Sequence, residues 1–195
     1  MLRLVAASVA SHPIENWNEI MDLPGDRLSV LPHDPVEWSG APRTRLMRRA
    51  LSLACDSVES GGGPFGAVVV RDGQVIAEGT NRVTVWSDPT AHAEIVAVRA
   101  ACATLGRFDL RGCTLYSSCE PCPMCLGALH WARLDKIYYA ATRQDAARVG
   151  FDDAVLYDEF SLPIEDRATP IRRVLPEEAS EPFEAWLRQA QRIGS

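Results

Sequence analysis

The chain is predicted to be an α/β protein, a three-layer α/β/α sandwich around a mixed central sheet of about five strands. Three observations predict it. The two-residue turn signal Asp72-Gly73 joins two short apolar runs and calls for an antiparallel hairpin. Farther on, segments with apolar residues every three or four positions alternate with short β runs, and strand, helix, strand alternation implies parallel pairing through right-handed crossovers. A length of 195 residues, 47% of them hydrophobic, suits one well-buried core, or one domain with an appendage.

Taken in order, residues 1–42 are broken by Pro13, Pro24, Gly25, Pro32, Pro35, Gly40 and Pro42 before any periodicity lasts. They are expected to form an irregular or partly disordered extension, with the compact domain over 43–195. Thr44 is the expected N-cap of a first helix carrying Leu46, Ala50, Leu53, Ala54 and Val58, which Gly61-Gly62-Gly63 ends. The hairpin strands follow at 65–71 and 74–79. After a loop holding Asn81, Ser87, Asp88 and Pro89, a second helix is predicted over 91–105, with Ile95, Val98, Cys102 and Leu105 at helical spacing and a stop at Gly106. His92 and Glu94 fall in its first turn.

A third strand is predicted over 113–117, a helix over 121–133 with Met124, Leu126, Leu129 and Trp131 apolar, and a fourth strand over 136–141. Residues 144–149 read as helical, Gly150-Phe151-Asp152-Asp153 as a turn and 171–175 as an edge strand. Residues 180–192 read as a capped amphipathic helix with Phe183, Trp186, Leu187 and Ala190 on one side.

Composition excludes some functions. A net charge of −6 argues against a surface built to neutralise phosphate backbone, because that affinity comes from Lys and Arg displacing counterions. Arg43, Arg45, Arg48 and Arg49 could form a local basic patch or simply a solvated helix face. No apolar run approaches the eighteen or so residues of a membrane span. The opening 1–11 imitates a secretory signal only weakly. Cys119, Cys122 and Cys125 crowd together while Cys55, Cys102 and Cys113 sit inside periodic segments, a distribution suited to a reducing compartment; the expected location is cytoplasmic.

The chemistry concentrates in two stretches. Cys122 and Cys125 supply thiolates at i, i+3 spacing after Pro121, and His92-Ala93-Glu94 supplies an imidazole with a carboxylate two residues on. A catalytic zinc takes three protein ligands and keeps one position open for water, and His92, Cys122 and Cys125 meet that need. Glu94 is placed to sit beside the metal without binding it, as a general base that moves protons from zinc-activated water. The pattern H-x-E with P-C-x-x-C is an established nucleobase-deaminase signature. Two other readings stay open: a redox pair at C-x-x-C, or a closed structural site in which Cys119 is the fourth ligand.

With these residues in place, the chain resembles the zinc-dependent cytidine deaminase-like superfamily, and within it the small bacterial guanine deaminases. The likeness runs from about Thr44 to the C-terminus and rests on residues 62–68, 88–94, 118–128 and 150–153. It implies the cytidine deaminase-like fold, one Zn²⁺ per subunit on His92, Cys122 and Cys125, and proton transfer by Glu94. It further implies that Asn81 hydrogen-bonds a purine, Phe65 packs on it, the Ala93 backbone helps hold it, Asp153 meets its amino and ring N–H edge, and Trp131 lies near. Bland alternatives are an Asx turn for Asn81, core packing for Phe65 and Trp131, and a helix cap for Asp153.

The resemblance also implies a homodimer in which the C-terminal segment of one subunit, here the helix at 180–192, closes over the site of the other. The family pattern ends in a tyrosine that reaches the substrate, whereas this sequence ends in Ser195. The expected reaction is hydrolysis of guanine to xanthine and ammonia in purine metabolism. Guanosine or another small amino-heterocycle is the alternative substrate, and tRNA adenosine and a non-catalytic zinc module are the more distant ones.

Overall fold

The computed structural model describes residues 41–193, with side chains over 42–189. They fall into two units, up to Pro170 and from Ile171, each described by itself. The expected extension lies outside the described residues except at its last two positions, which belong to helix α1 (Ala41–Glu59). Thr44 is therefore inside this helix and is not its N-cap. Ala50 is wholly buried and Leu46 and Leu53 are nearly so, forming the stripe that the three- and four-residue spacing predicts.

Strands β1 (Gly66–Arg71) and β2 (Gln74–Thr80) pair antiparallel, with Arg71 opposite Gln74 across the Asp72-Gly73 turn. Both turn residues have positive φ, 51° and 76°, which suits the right-handed twist of a two-residue hairpin. After the short helix α2 (Val83–Trp86), helix α3 runs Ala93–Leu105 and ends on Gly106 in the left-handed region. Strand β3 (Cys113–Cys119) pairs antiparallel with β1, and after helix α4 (Pro123–Trp131) strand β4 (Lys136–Ala141) pairs parallel with β3.

The sheet is thus mixed, in the order β2-β1-β3-β4. It has four strands among the described residues, not five. Residues 171–175, the expected edge strand, form none: Pro170 and Pro176 bracket them and Leu175 lies at φ +53°, which leaves little extended backbone to pair. Two further helices, α5 (Arg143–Ala147) and α6 (Ala154–Ser161), follow β4. The second of these had no strong periodicity to announce it. In the unit beyond Pro170, helix α7 (Glu181–Ile193) forms as expected.

The sheet buries both faces. Val68, Val70 and Tyr116 pack with Leu46, Ala50 and Leu53 of α1. On the other face, Ala67, Val69, Cys113 and Leu115 pack with Ala93, Ala97 and Ala101 of α3 and Leu129 of α4. That is why Ala67 to Val70 reads as an unbroken apolar run: alternate residues serve opposite layers. The second layer sits very close. A Cβ on Gly79 would lie 2.2 Å from the carbonyl oxygen of Ala93, so only glycine lets α3 approach β2 this closely. No helix among the described residues is long and apolar enough to cross a membrane.

Candidate active site

β1 begins, and β2, β3 and β4 end, at one end of the sheet, because Gly66 pairs with Thr80, Ala67 with Ser117 and Cys119 with Ala141. The loops leaving that end carry the polar residues. Two helices also start there: His92 is the N-cap of α3 and Cys122 the N-cap of α4, each in extended backbone, and Pro123 occupies the first turn of α4. Both helices start two residues later than the sequence suggested, at Ala93 and Pro123, so His92 and Cys122 are caps. Proline suits this position because the missing N–H would have no helical partner. The unpaired N–H groups and positive ends of these helices favour thiolate.

His92, Cys122 and Cys125 converge, with their ligand atoms all within 4.8 Å of one another. His92 Nδ1 lies 3.6 Å from Cys122 Sγ and 3.5 Å from Cys125 Sγ. Tetrahedral Zn²⁺ with ordinary Zn–S and Zn–N bonds sets sulfur and nitrogen about 3.6 Å apart, so the donor set fits the ion in spacing as well as softness. In the chain alone the Cys122 thiol is pushed down to about 4, first by the hydrogen bond from Cys125 and, after burial's opposing pull, by that of His92. Cys125 is pushed up, first because it keeps the proton shared with Cys122 and then by burial. His92 is raised, chiefly by its hydrogen bond with Cys122. Cys122 and Cys125 would exchange that shared proton for a cation held with His92.

Glu94 is 6% exposed and stands beside this cluster. Its Oε1 accepts a hydrogen bond from the Ser117 hydroxyl at 3.2 Å and its Oε2 one from the Cys125 thiol at 3.6 Å. Burial, the largest cause, raises its pKa above the usual carboxylate range, and the charge on Cys122 adds to it. Cys119 is not part of the cluster. Its thiol donates to the Thr142 carbonyl at 3.6 Å and is pushed up to about 11, mainly by burial. The site therefore has three metal-capable donors and not the closed four-ligand set.

A cavity of about 550 Å³ opens over these groups, and His92, Glu94, Cys122, Asn81, Phe65 and Asp153 all line it. Asn81 Oδ1 accepts from the backbone N–H groups of Gly63 (3.3 Å) and Val83 (3.2 Å). The second of these is the Asx turn that was the bland alternative; Asn81 makes that turn and faces the cavity as well. Its Oδ1 is thereby saturated, and no buried side-chain nitrogen or oxygen among the described residues lacks a partner, so Nδ2 is presented to the cavity as a donor.

Phe65 meets Phe151 edge to face at 5.0 Å. Asp153 is at the N-cap position of α6 but makes no capping bond; Asp152 instead accepts from Ala154 N–H at 2.9 Å, which leaves the Asp153 carboxyl in the cavity. Partial burial is the main cause raising the Asp153 pKa. Ala93 is wholly buried and Trp131, 77% exposed, is not core; neither lines the cavity.

Sequence reasoning missed three contributors. Ser117 is buried at the end of an apolar strand and orients Glu94; a polar pair, Ser117-Ser118, in such a run is the signal that could have found it. Glu120 and Arg143 also line the cavity, linked by a hydrogen bond from Arg143 N–H to Glu120 Oε2 at 3.1 Å. They come together only because β3 and β4 end side by side.

Residues 41–141 match the family model of the cytidine and deoxycytidylate deaminase zinc-binding region. The chain belongs to this deaminase family. The deaminase is 53% identical over 148 residues to guanine deaminase of Bacillus subtilis, covering 75% of this chain and 95% of that one. The X-ray structure of the Bacillus subtilis guanine deaminase matches with a TM-score of 0.73, covering 74% of this chain and 93% of the other. A tRNA-specific adenosine deaminase of Agrobacterium fabrum is 39% identical over 150 residues, 76% of this chain and 96% of the relative. A solved guanine deaminase of Nitrosomonas europaea is 38% identical, with a TM-score of 0.55 over 59% of this chain and 66% of that one. The deaminase is accordingly a zinc-dependent hydrolase of C–N bonds, with the fold expected of it.

Proposed function

We propose that the chain is a guanine deaminase, hydrolysing guanine to xanthine and ammonia. The observation that carries the choice of base is the polarity of the cavity: Asn81 offers hydrogen-bond donors and Asp153 a carboxyl acceptor beside the donor cluster. Guanine presents acceptors at O6 and N7 and donors at N1–H and the 2-amino group. Adenine, with an acceptor at N1 and an amino group at C6, opposes that pattern. The similarity to the Bacillus subtilis enzyme over 95% of its length supports the same reading.

His92, Cys122 and Cys125 would hold the zinc, which when bound supplies a Lewis acid that brings a water's pKa from 15.7 toward about 7. Asn81 and Asp153 orient the purine so that C2 faces this cluster, and Phe65 packs on its ring. Glu94 takes a proton from the attacking water as the new C2–O bond forms and passes it to ring N3. It carries the water's remaining proton to the exocyclic nitrogen as the C2–N bond breaks, releasing ammonia. Ser117 holds Glu94 in register for both transfers.

One observation favours guanosine as the second reading: a cavity of about 550 Å³ has room beyond a bare base. Steady-state rates of the zinc-loaded enzyme on guanine, guanosine, adenine, cytosine and tRNA separate the cases. Guanine should lead in kcat/KM by about 10² or more, as expected where polar groups of a site must be paired by the substrate. A faster rate on guanosine, adenine or tRNA would overturn the assignment. We place the enzyme in the cytoplasm on its free cysteines, and read it as a homodimer since α7 keeps Phe183, Trp186 and Leu187 exposed on one chain, with 43–195 as the deaminase domain and 1–42 an appendage to it.

A further inference from the structure

Asn81 is held by more than its side chain. Its N–H donates to the Phe65 carbonyl at 3.1 Å, and its own carbonyl accepts from the hydroxyl of Ser57 at 3.1 Å. Ser57 belongs to the last two turns of α1, is wholly buried and does not line the cavity. Its backbone carbonyl also accepts from Gly62 N–H at 2.8 Å. Between these groups the chain is as tight as backbone allows: a Cβ on Gly62 would lie 2.2 Å from the Asn81 oxygen and 2.6 Å from Ser57 Oγ. The glycine loop thus passes directly over the Ser57–Asn81 bond and is fastened to the same serine.

The Asn81 carbonyl has no other donor among the described residues. Its peptide is fixed to α1 through Ser57 and to the start of β1 through Phe65, so both residues proposed to grip the purine hang on one frame. A shift of this peptide would turn Asn81 Nδ2 away and loosen the Gly63 and Val83 bonds that give the amide its polarity.

We infer that Ser57 is a positioning residue for substrate recognition, setting through the Asn81 carbonyl the direction in which the amide donor meets the purine. This inference rests on the guanine-deaminase reading. Ser57 touches neither the base nor Glu94, so its loss weakens binding and leaves the chemical step intact. A buried carbonyl stripped of its donor relaxes toward another partner, and the amide moves with it.

The test is a double-mutant cycle on guanine with the zinc-loaded enzyme. Ser57→Ala, at a helical site where alanine is well tolerated, should raise KM about tenfold while kcat stays within about threefold. Zinc content should not change. In an Asn81→Ala background the same substitution should add nothing further to KM, because the group through which it acts is gone. An unchanged KM for Ser57→Ala, a loss carried by kcat, or a full KM effect persisting in the Asn81→Ala background would overturn the inference. Ser57→Cys, nearly the same shape with a much weaker donor, serves if the alanine variant is poorly folded. Failure of the underlying reading looks different: the parent enzyme is then slow on guanine, or Asn81→Ala alone leaves KM untouched.

Discussion

Replacing Glu94 by Gln removes the proposed proton carrier and little else. Glutamine keeps the length of the side chain and an oxygen that can still accept the Ser117 hydroxyl, and it removes a charge from a site only 6% exposed, so the fold has no reason to weaken. The three metal-capable donors, His92, Cys122 and Cys125, are untouched, and zinc should be retained at one per chain. What is lost is general acid–base catalysis, typically worth 10²–10⁴ in rate, or about 3–5 kcal/mol of barrier. Both proton transfers run through this one carboxylate, which puts the expected loss toward the upper half of that range. The assay is ammonia release from guanine under saturating substrate, with metal analysis and melting temperature on the same preparation. Turnover within about tenfold of the parent, with zinc present and the fold intact, would refute the role given to Glu94.

Other outcomes follow from the same geometry. Cys122→Ser and Cys125→Ser should each lose zinc on dialysis while Cys119→Ser keeps it, since the Cys119 thiol bonds to Thr142 and not to the cluster; zinc loss from Cys119→Ser would restore the four-ligand reading. Removing the metal with a chelator should abolish turnover, and added Zn²⁺ should restore it. Gly79→Ala forces a Cβ to within 2.2 Å of the Ala93 carbonyl, between His92 and Glu94. It should therefore cost at least the 1–3 kcal/mol or so of overpacking, read by denaturant unfolding, and also depress turnover. The Arg49–Glu78 pair, two hydrogen bonds of 2.6–2.7 Å between α1 and β2, lowers the Glu78 pKa from 4.5. A depressed carboxylate stabilises above its unfolded pKa and loses that contribution as pH falls through the folded one. Glu78→Gln should thus lower the melting temperature at pH 7, and the deficit should shrink as pH falls below the unfolded carboxylate range.

The three metal-capable donors and Glu94 were legible in the sequence because their spacing is a property of short segments. Cys122 and Cys125 are brought to one side of a helix start by three residues of separation, while His92 as the extended N-cap and Glu94 in the first turn share the start of a second helix. The hairpin was equally local, since Asp72-Gly73 tolerates the positive φ values that a tight turn requires. What could not be read depended on contacts between distant segments. Ser117 meets Glu94 across 23 residues, marked only by the polar Ser117-Ser118 pair in an apolar strand, and Ser57 meets Asn81 across 24 with no local mark of its task. The expectation for residues 171–175 failed for a related reason: β-branched residues favour strands, but a strand needs a partner edge, and the flanking prolines remove backbone donors.

The sequence by itself determined the reaction class, because zinc activation of water needs only soft donors, an imidazole and a nearby carboxylate, and their order along the chain already declares them. The tertiary structure decided against Cys119 as a fourth donor, sending its thiol to Thr142 at the end of β3. It also decided the polarity of the cavity: Asn81 could have offered either face of its amide until Gly63 and Val83 took the oxygen, and Asp153 could have capped α6 had Asp152 not accepted its N–H instead. Hydrogen-bond direction is set by neighbours in space, and those neighbours are chosen only when the sheet brings its loops together at one end.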